Sequence, residues 1–300
     1  MSINSIMINY LFSKGDKKRD KGLQTPADVE RQDNLSYGPH GKWNLLDVYT
    51  PKGAQGKLPV IVNIHGGGWV YGTKEVYQFY CMSLAQRGFA VVNFNYRLAP
   101  ASKFPTPLED LNQVIHWIFE HATEHPFDLK RIFFVGDSAG ANIAALYGCL
   151  CTNPDYARMF NTIKLPSGFV PVAIALNCGI YDIHNLLKEN AQGIGSILKD
   201  YLGKKHTRED LEKINVCSFI NKDFPPTYLM TADNDFLKSQ APYIKEKLEE
   251  SQVKHHYKLY GVGDKEILHV FHCNVRLPEA TLCNDEECSF FTSSLTAWRE

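Results

Sequence analysis

The pentapeptide Gly136-Asp137-Ser138-Ala139-Gly140 constrains this chain more than any other feature. It reads G-x-S-x-G, the turn that lifts a serine off a strand end and presents its hydroxyl to a cleft. A serine hydroxyl is a poor nucleophile until a base takes its proton, so it must stand clear of the backbone within reach of one. The sharp turn that achieves this crowds strand against helix, and glycines two before and two after the serine tolerate the crowding. Both flanks agree. Ile132-Phe133-Phe134-Val135 is a short apolar run suited to a strand buried on both faces. Ala141, Ala144, Ala145 and Gly148 recur at helical spacing and form a smooth stripe that can lie close on a sheet. Thr152-Asn153-Pro154 then stops that helix. A Gly-Ser turn without chemistry is the competing reading, and the two matched flanks weigh against it.

Three hundred residues suffice for one large α/β domain or two small ones. The net charge of -1 offers no footprint for nucleic acid or an anionic membrane. The basic cluster Lys14 to Lys21 is interleaved with Asp16 and Asp20 and reads as a solvated helix end or loop. Eight cysteines are too few for a dense disulfide framework, and free thiols fit a reducing compartment. No CxxC or HExxH supplies metal-ligand spacing, so neither metal nor cofactor is expected. Met1 to Phe12 is apolar in patches but lacks the charged start and cleavage site of a leader, and no segment is long enough to span a membrane. The expectation is a soluble, cytoplasmic protein with no nucleic-acid or membrane partner.

From about residue 43 onward strand-like and helix-like segments alternate, which favours an α/β fold with a mostly parallel sheet. Strands are expected at Leu45 to Tyr49, Pro59 to Ile64, Phe89 to Phe94, Ile132 to Val135, Val172 to Asn177, Thr227 to Thr231 and Tyr257 to Tyr260. Thr106-Pro107-Leu108-Glu109 predicts a helix start with a threonine cap and a capping box, burying Leu108, Leu111, Ile115 and Ile118. Lys238 to Glu250 predicts an amphipathic helix with Ala241, Ile244 and Leu248 inward. Asn284 followed by Glu287 predicts the start of a last helix carrying Phe291, Leu295 and Trp298. Residues 1–30 and 181–222 interrupt the rhythm, the latter with short helical pieces such as Ile194 to Leu202. Insertions of this kind form lids over clefts or ordinary surface helices.

A serine hydrolase needs a base, an acid that orients it, and donors for the developing oxyanion. His65-Gly66-Gly67-Gly68-Trp69 follows a strand and can aim its backbone N–H groups at one spot. The expected donors are Gly67, Gly68 and Ala139. A phosphate-binding loop would require GxxxxGK[ST] or GxGxxG spacing, which is lacking. Asp233 and Asp235 both lie just past the Thr227 to Thr231 strand, on the face of a parallel sheet where the nucleophile sits. His269 and His272 both lie past the last strand. His255 and His256 lie at its start and read as strand decoration.

Together these segments resemble a known family. His65 to Trp69, Asn95-Tyr96-Arg97-Leu98-Ala99-Pro100, Phe104-Pro105, Leu108-Glu109-Asp110, Gly136 to Gly140, Thr231 to Leu237 and His269-Val270-Phe271 look like the hormone-sensitive-lipase-like esterases. The likeness runs from roughly residue 43 to 275, with several motifs in the right order. It implies the α/β-hydrolase fold, a mostly parallel central sheet flanked by helices, as one domain over 1–300 with a helical cap from 1–30 and 181–222. By the family's T-A-x-x-D-x-L and H-x-F patterns the acid is Asp235 and the base His269, completing a triad with Ser138. A homodimer is common among such proteins. The chain departs from the family at Asn95, Ala101, Ala141, Phe236 and Val270, none of them a triad position.

The resulting expectation is a serine carboxylesterase acting on a small-molecule ester through an acyl-enzyme. The same machinery would serve an acetyl- or feruloyl-type esterase on plant-derived oligosaccharides, or an amidase. A binding protein that has lost catalysis would typically lack a triad residue, and candidates stand at all three places. Tyr10, Phe12, Trp69, Ile197 and Tyr201 are the candidate pocket residues.

Overall fold

The computed structural model describes residues 1–189 and 193–294. Eight strands form one sheet: β1 Val29–Ser36, β2 Leu45–Pro51, β3 Leu58–Ile64, β4 Ala90–Phe94, β5 Phe127–Asp137, β6 Ile174–Asn177, β7 Thr227–Ala232 and β8 His255–Tyr260. Their order is β1-β2-β4-β3-β5-β6-β7-β8, antiparallel from β1 through β4 and parallel from there on. Helices fill the connections: α1 Ile3–Asp20, α2 Lys74–Gln86, α3 Thr106–Glu120, α4 Ala139–Thr152, α5 Pro154–Ala157, α6 Ile183–Lys188, α7 Ile194–Leu202, α8 Arg208–Lys213, α9 Gln240–Glu250 and α10 Pro278–Ser294.

The central strands feed two cores because successive side chains point to opposite faces. Ile132 and Phe134 of β5 join the core under α3, α4 and α9. Phe133 and Val135 join the core under α2 and α10. The smooth stripe expected on the helix after Ser138 is fully buried, as are Leu108, Leu111, Ile115 and Ile118 of α3. Behind the sheet edge, Arg97 grips buried Asp110 through Nε and Nη2 at 2.9 and 2.6 Å, joining two of the sequence motifs.

Three local expectations require correction. The first strand, β1, begins at Val29, ahead of the first strand expected from about residue 43, and follows a full helix, α1. The β1 sequence VERQDNLS buries only Val29, since it lies at the sheet edge, and so carries no apolar alternation to read. Thr106 does not cap α3, whose N-cap is Pro105 with no side-chain bond. The amides of Leu108 and Glu109 instead reach the Pro105 carbonyl, and Glu109 accepts from Thr162 at 3.1 Å. The last helix starts at Pro278 rather than Asn284. Asn284 and Glu287 are buried inside it, bonded to the His272 carbonyl and to Tyr80 and Asn177. Leu295 and Trp298 lie outside the described residues.

Candidate active site

All the chemistry-bearing loops leave the carboxyl ends of the parallel strands, where ligands bind in open α/β sheets. Ile64 of β3 pairs with Gly136 of β5, so the glycine loop and the serine turn leave neighbouring strands at one level. On the other side, an isolated parallel bridge between Asn234 and Leu268 joins the loops that follow β7 and β8. The residues that follow those two are Asp235 and His269. Strand register thus brings four separate segments to one edge.

Ser138 sits at φ 51° and ψ -118°, a strained conformation that side chains rarely adopt. The strain is held from below, because the Ser138 amide donates to the Asn177 carbonyl at 2.9 Å. Both glycines of the motif are required by close approach. A Cβ on Gly136 would strike the Gly140 backbone, and one on Gly140 would strike the Ile64 and His65 carbonyls. Gly67 and Gly68 take φ of +110° and +60°, which turns the loop so that their amides make no hydrogen bond among the described residues. The Ala139 amide, first of α4, is likewise unpaired there.

His269 Nδ1 lies 2.7 Å from Asp235 Oδ1. Asp235 also accepts from Thr231 Oγ1 at 2.9 Å and the Leu237 amide at 2.8 Å. Burial alone would raise its pKa, but the His269 charge and hydrogen bond, with the Leu237 amide and the Cys178 thiol, outweigh burial and hold the carboxyl below its ordinary range. A carboxylate accepts only, so this contact favours the tautomer with the proton on Nδ1 and leaves Nε2 with a free lone pair. Ser138 Oγ makes no hydrogen bond to His269 among the described residues, a contact that in unliganded sites often forms only with substrate. Cys178 Sγ completes a trio with Asp235 and His269 whose ligand atoms lie within 4.8 Å of one another. Burial pushes that thiol well up, so it stays protonated, and the Asp235–His269 bond occupies the atoms a metal would need.

The alternatives left open by the sequence separate cleanly. Asp233 faces away, ion-paired with exposed Lys238 at 2.9 Å. His272 is wholly buried edge-on against Tyr80, where burial pushes its pKa down to about 3. His255 and His256 begin β8. His65, also wholly buried, stacks on Tyr96 at 4.0 Å with its pKa pushed down to about 4 by burial. Its Nδ1 donates to the Gly66 carbonyl at 2.8 Å and stiffens the loop.

Ser138 opens into a cavity of about 450 Å³. One wall is Ile8 and Phe12 of α1, another is Leu186, Ile194 and Ile197 of α6 and α7, and Gly68, Trp69, Ile180 and Leu237 close the rest. Phe236 forms the rim and lies over the His269 ring at 4.2 Å. Of the candidate pocket residues, Phe12, Trp69 and Ile197 line this cavity. Tyr201 supports Trp69 from behind in a stack at 4.5 Å, and Tyr10 points into solvent. Ile8, Ile180 and Leu186 were not read from the sequence, where single apolar residues in irregular segments carry no periodic signal. Val270, which follows His269, takes the left-handed region at φ 54°, an unusual conformation for a β-branched residue.

The BD-FAE family pattern matches residues 46–248, spanning the glycine loop, the serine turn and Asp235. The chain belongs to the BD-FAE family. It is a hormone-sensitive-lipase-like member of the α/β-hydrolase superfamily, as its motifs implied. Esterase LipQ of Mycobacterium tuberculosis is 26% identical over 67% of this chain and 48% of its own length. An acetyl esterase of Salmonella paratyphi A is 28% identical over 66% of this chain and 61% of its own length. The chain spans about half the length of the curated relatives it matches. Esterase B from Lactobacillus rhamnosis shares the fold at a TM-score of 0.89, with 23% identity over 98% of this chain and 96% of that one. This BD-FAE member has no helix, among the described residues, long and apolar enough to cross a membrane.

Proposed function

We propose that the protein is a serine carboxylesterase that cleaves short-chain carboxylic esters through an acyl-enzyme. The observation that carries this reading is the 2.7 Å contact from His269 Nδ1 to Asp235 beside a serine turn that opens into an apolar cavity. His269 takes the proton from Ser138 as its oxygen attacks the ester carbonyl. The amides of Gly67, Gly68 and Ala139 hold the oxyanion. Collapse expels the alcohol, which His269 protonates, and water then repeats the sequence to release the acid and free Ser138.

The cavity lining supports a small apolar acyl group over a sugar ester. Among the described residues Ser138 supplies its one side-chain hydroxyl, whereas a sugar requires several convergent polar groups. We assign the cap to residues 1–30 and 181–222 of a single domain. Supporting this, Asp200 of α7 accepts the Ser2 amide and the Ser5 hydroxyl of α1, both at 2.7 Å, and both helices wall the cavity. Eight free thiols, six of them buried, favour a reducing compartment such as the cytoplasm. The relatives named for esterase activity, and a tributyrin phosphonate-inhibited Esterase B, agree with the reaction class. A series of aryl esters with lengthening acyl chains, run beside acetylated and feruloylated oligosaccharides, tests the reading. Turnover confined to short aliphatic esters is expected, and a preference for the oligosaccharides would overturn the substrate class.

A further inference from the structure

Helix α1 presents a second face that the proposed chemistry does not use. Ile3, Ile6, Met7, Tyr10 and Leu11 recur at i, i+3, i+4, i+7 and i+8, and are 52–84% exposed. Single exposed apolar residues are ordinary, but five along one stripe mark an interaction surface. Lys14, Lys17, Lys18 and Lys21 continue the same stripe, all exposed and without an ion pair among the described residues. The acids that interleave with them in sequence turn inward. Asp16 accepts from Tyr71 at 2.8 Å and pairs with Arg19 at 3.0 Å, and Asp20 pairs with Arg19 at 2.7 Å. Folding therefore sorts a mixed charge cluster into a face that carries lysine alone.

We propose that this outer face of α1 docks the protein on an anionic lipid membrane. An amphipathic helix with large apolar residues beside lysines lies in the plane of a bilayer surface, apolar side chains in the acyl boundary and ammonium groups at the headgroups. The lysine stems reach along the apolar surface while their charges stay in water. Charge decides against a second copy of the chain. A two-fold contact sets the patch against itself, and this patch holds no acid to meet its lysines. Lysine is also depleted in protein interfaces. The inner face is anchored independently of the outer one, through Asp200, the Asn9 contact to the Val70 carbonyl at 3.1 Å, and Phe12 edge-on to Tyr71. Ile8 and Phe12 on that inner side wall the cavity at Ser138, so the helix that meets the membrane also bounds the site.

Co-sedimentation of the full chain with phosphatidylcholine vesicles, with and without about 30% phosphatidylserine, tests the proposal. Binding is expected to the anionic vesicles and to fall steeply in about 0.5 M salt. The triple variant Lys14→Gln, Lys17→Gln, Lys18→Gln should weaken it about a hundredfold, near fivefold per lysine. The pair Ile3→Asn and Tyr10→Asn should weaken it at least about tenfold. Both variants should keep their circular dichroism and their turnover of a soluble ester, and Ser138→Ala should bind vesicles as the parent does. Full recovery of the folded parent in the supernatant with anionic vesicles would overturn the proposal. A dimer in solution that Ile3→Asn and Tyr10→Asn dissociate would also overturn it, giving the face to a second copy.

Discussion

The Tyr77 hydroxyl donates to the Asp137 carboxylate at 2.8 Å. The same oxygen accepts the Gly66 amide at 3.0 Å, so one side chain of α2 ties the glycine loop to the serine turn. Asp137 is wholly buried, and burial pushes its carboxyl up to about 7 against the opposing pull of Tyr77 and the His269 charge. A hydroxyl outside both motifs thus braces the glycine loop against the serine turn.

Removing that hydroxyl tests the tie. Tyr77→Phe leaves the ring in its core and deletes only the bond, so kcat should fall about tenfold or more while KM changes little. Steady-state kinetics on a soluble aryl ester check this. An unchanged kcat would mean that the loop holds its shape without Tyr77.

The two aspartates past β7 should behave very differently. Asp235→Asn keeps the shape but lets Nδ1 face a donor, with a loss on the order of ten-thousandfold in kcat. Asp233→Asn removes an ion pair to exposed Lys238, which contributes little, and leaves an oxygen to accept the long contact from the Gly263 amide, so activity should stay within about twofold. Comparing kcat/KM of the two variants checks the assignment, and the reverse order would move the acid to Asp233.

His272 should matter for stability and not for turnover. It is wholly buried against Tyr80. His272→Ala opens a cavity and should cost about 2–4 kcal/mol in a denaturant melt. Turnover per site titrated with a covalent probe should survive in the molecules that fold. Loss of turnover in fully folded protein would make His272 a participant.

Glu287 gives the fold a pH dependence. Burial pushes its carboxyl from the ordinary 4.5 up to about 7, although Asn177 and Tyr80 donate to it. A raised pKa means that the folded chain holds a proton that the unfolded chain has released. That contribution is fully present below about pH 4.5 and is lost as pH rises through about 7. Glu287→Gln is neutral throughout, so its stability relative to the parent should improve by about 2–3 kcal/mol between pH 5 and pH 8. Melts of both proteins at the two pH values check the sign, and a gain at pH 5 instead would contradict it.

What the sequence revealed and what it hid follow from the range of the interactions. The turn at Ser138 is legible because its strand, glycines and helix stripe are contiguous. Asp235 and His269 are readable in outline because parallel strands return every loop to one edge, yet choosing them over Asp233 and His272 takes the resemblance. Tyr77, 60 residues from Asp137, and Glu287, 207 residues from Tyr80, leave no local trace. Asn284 and Glu287 even imitate a helix start, because polar residues inside a buried helix resemble caps when their distant partners are unseen. The lysines of α1 read as a mixed cluster because a linear string cannot show that Asp16 and Asp20 face inward.

The central claim rests on Ser138. Incubation with a fluorophosphonate, followed by mass spectrometry of the digested protein, asks which residue is the nucleophile. A stoichiometric adduct on Ser138, absent together with all ester hydrolysis in a folded Ser138→Ala variant, is the predicted result. An adduct on another residue, or full hydrolysis by Ser138→Ala, would contradict it.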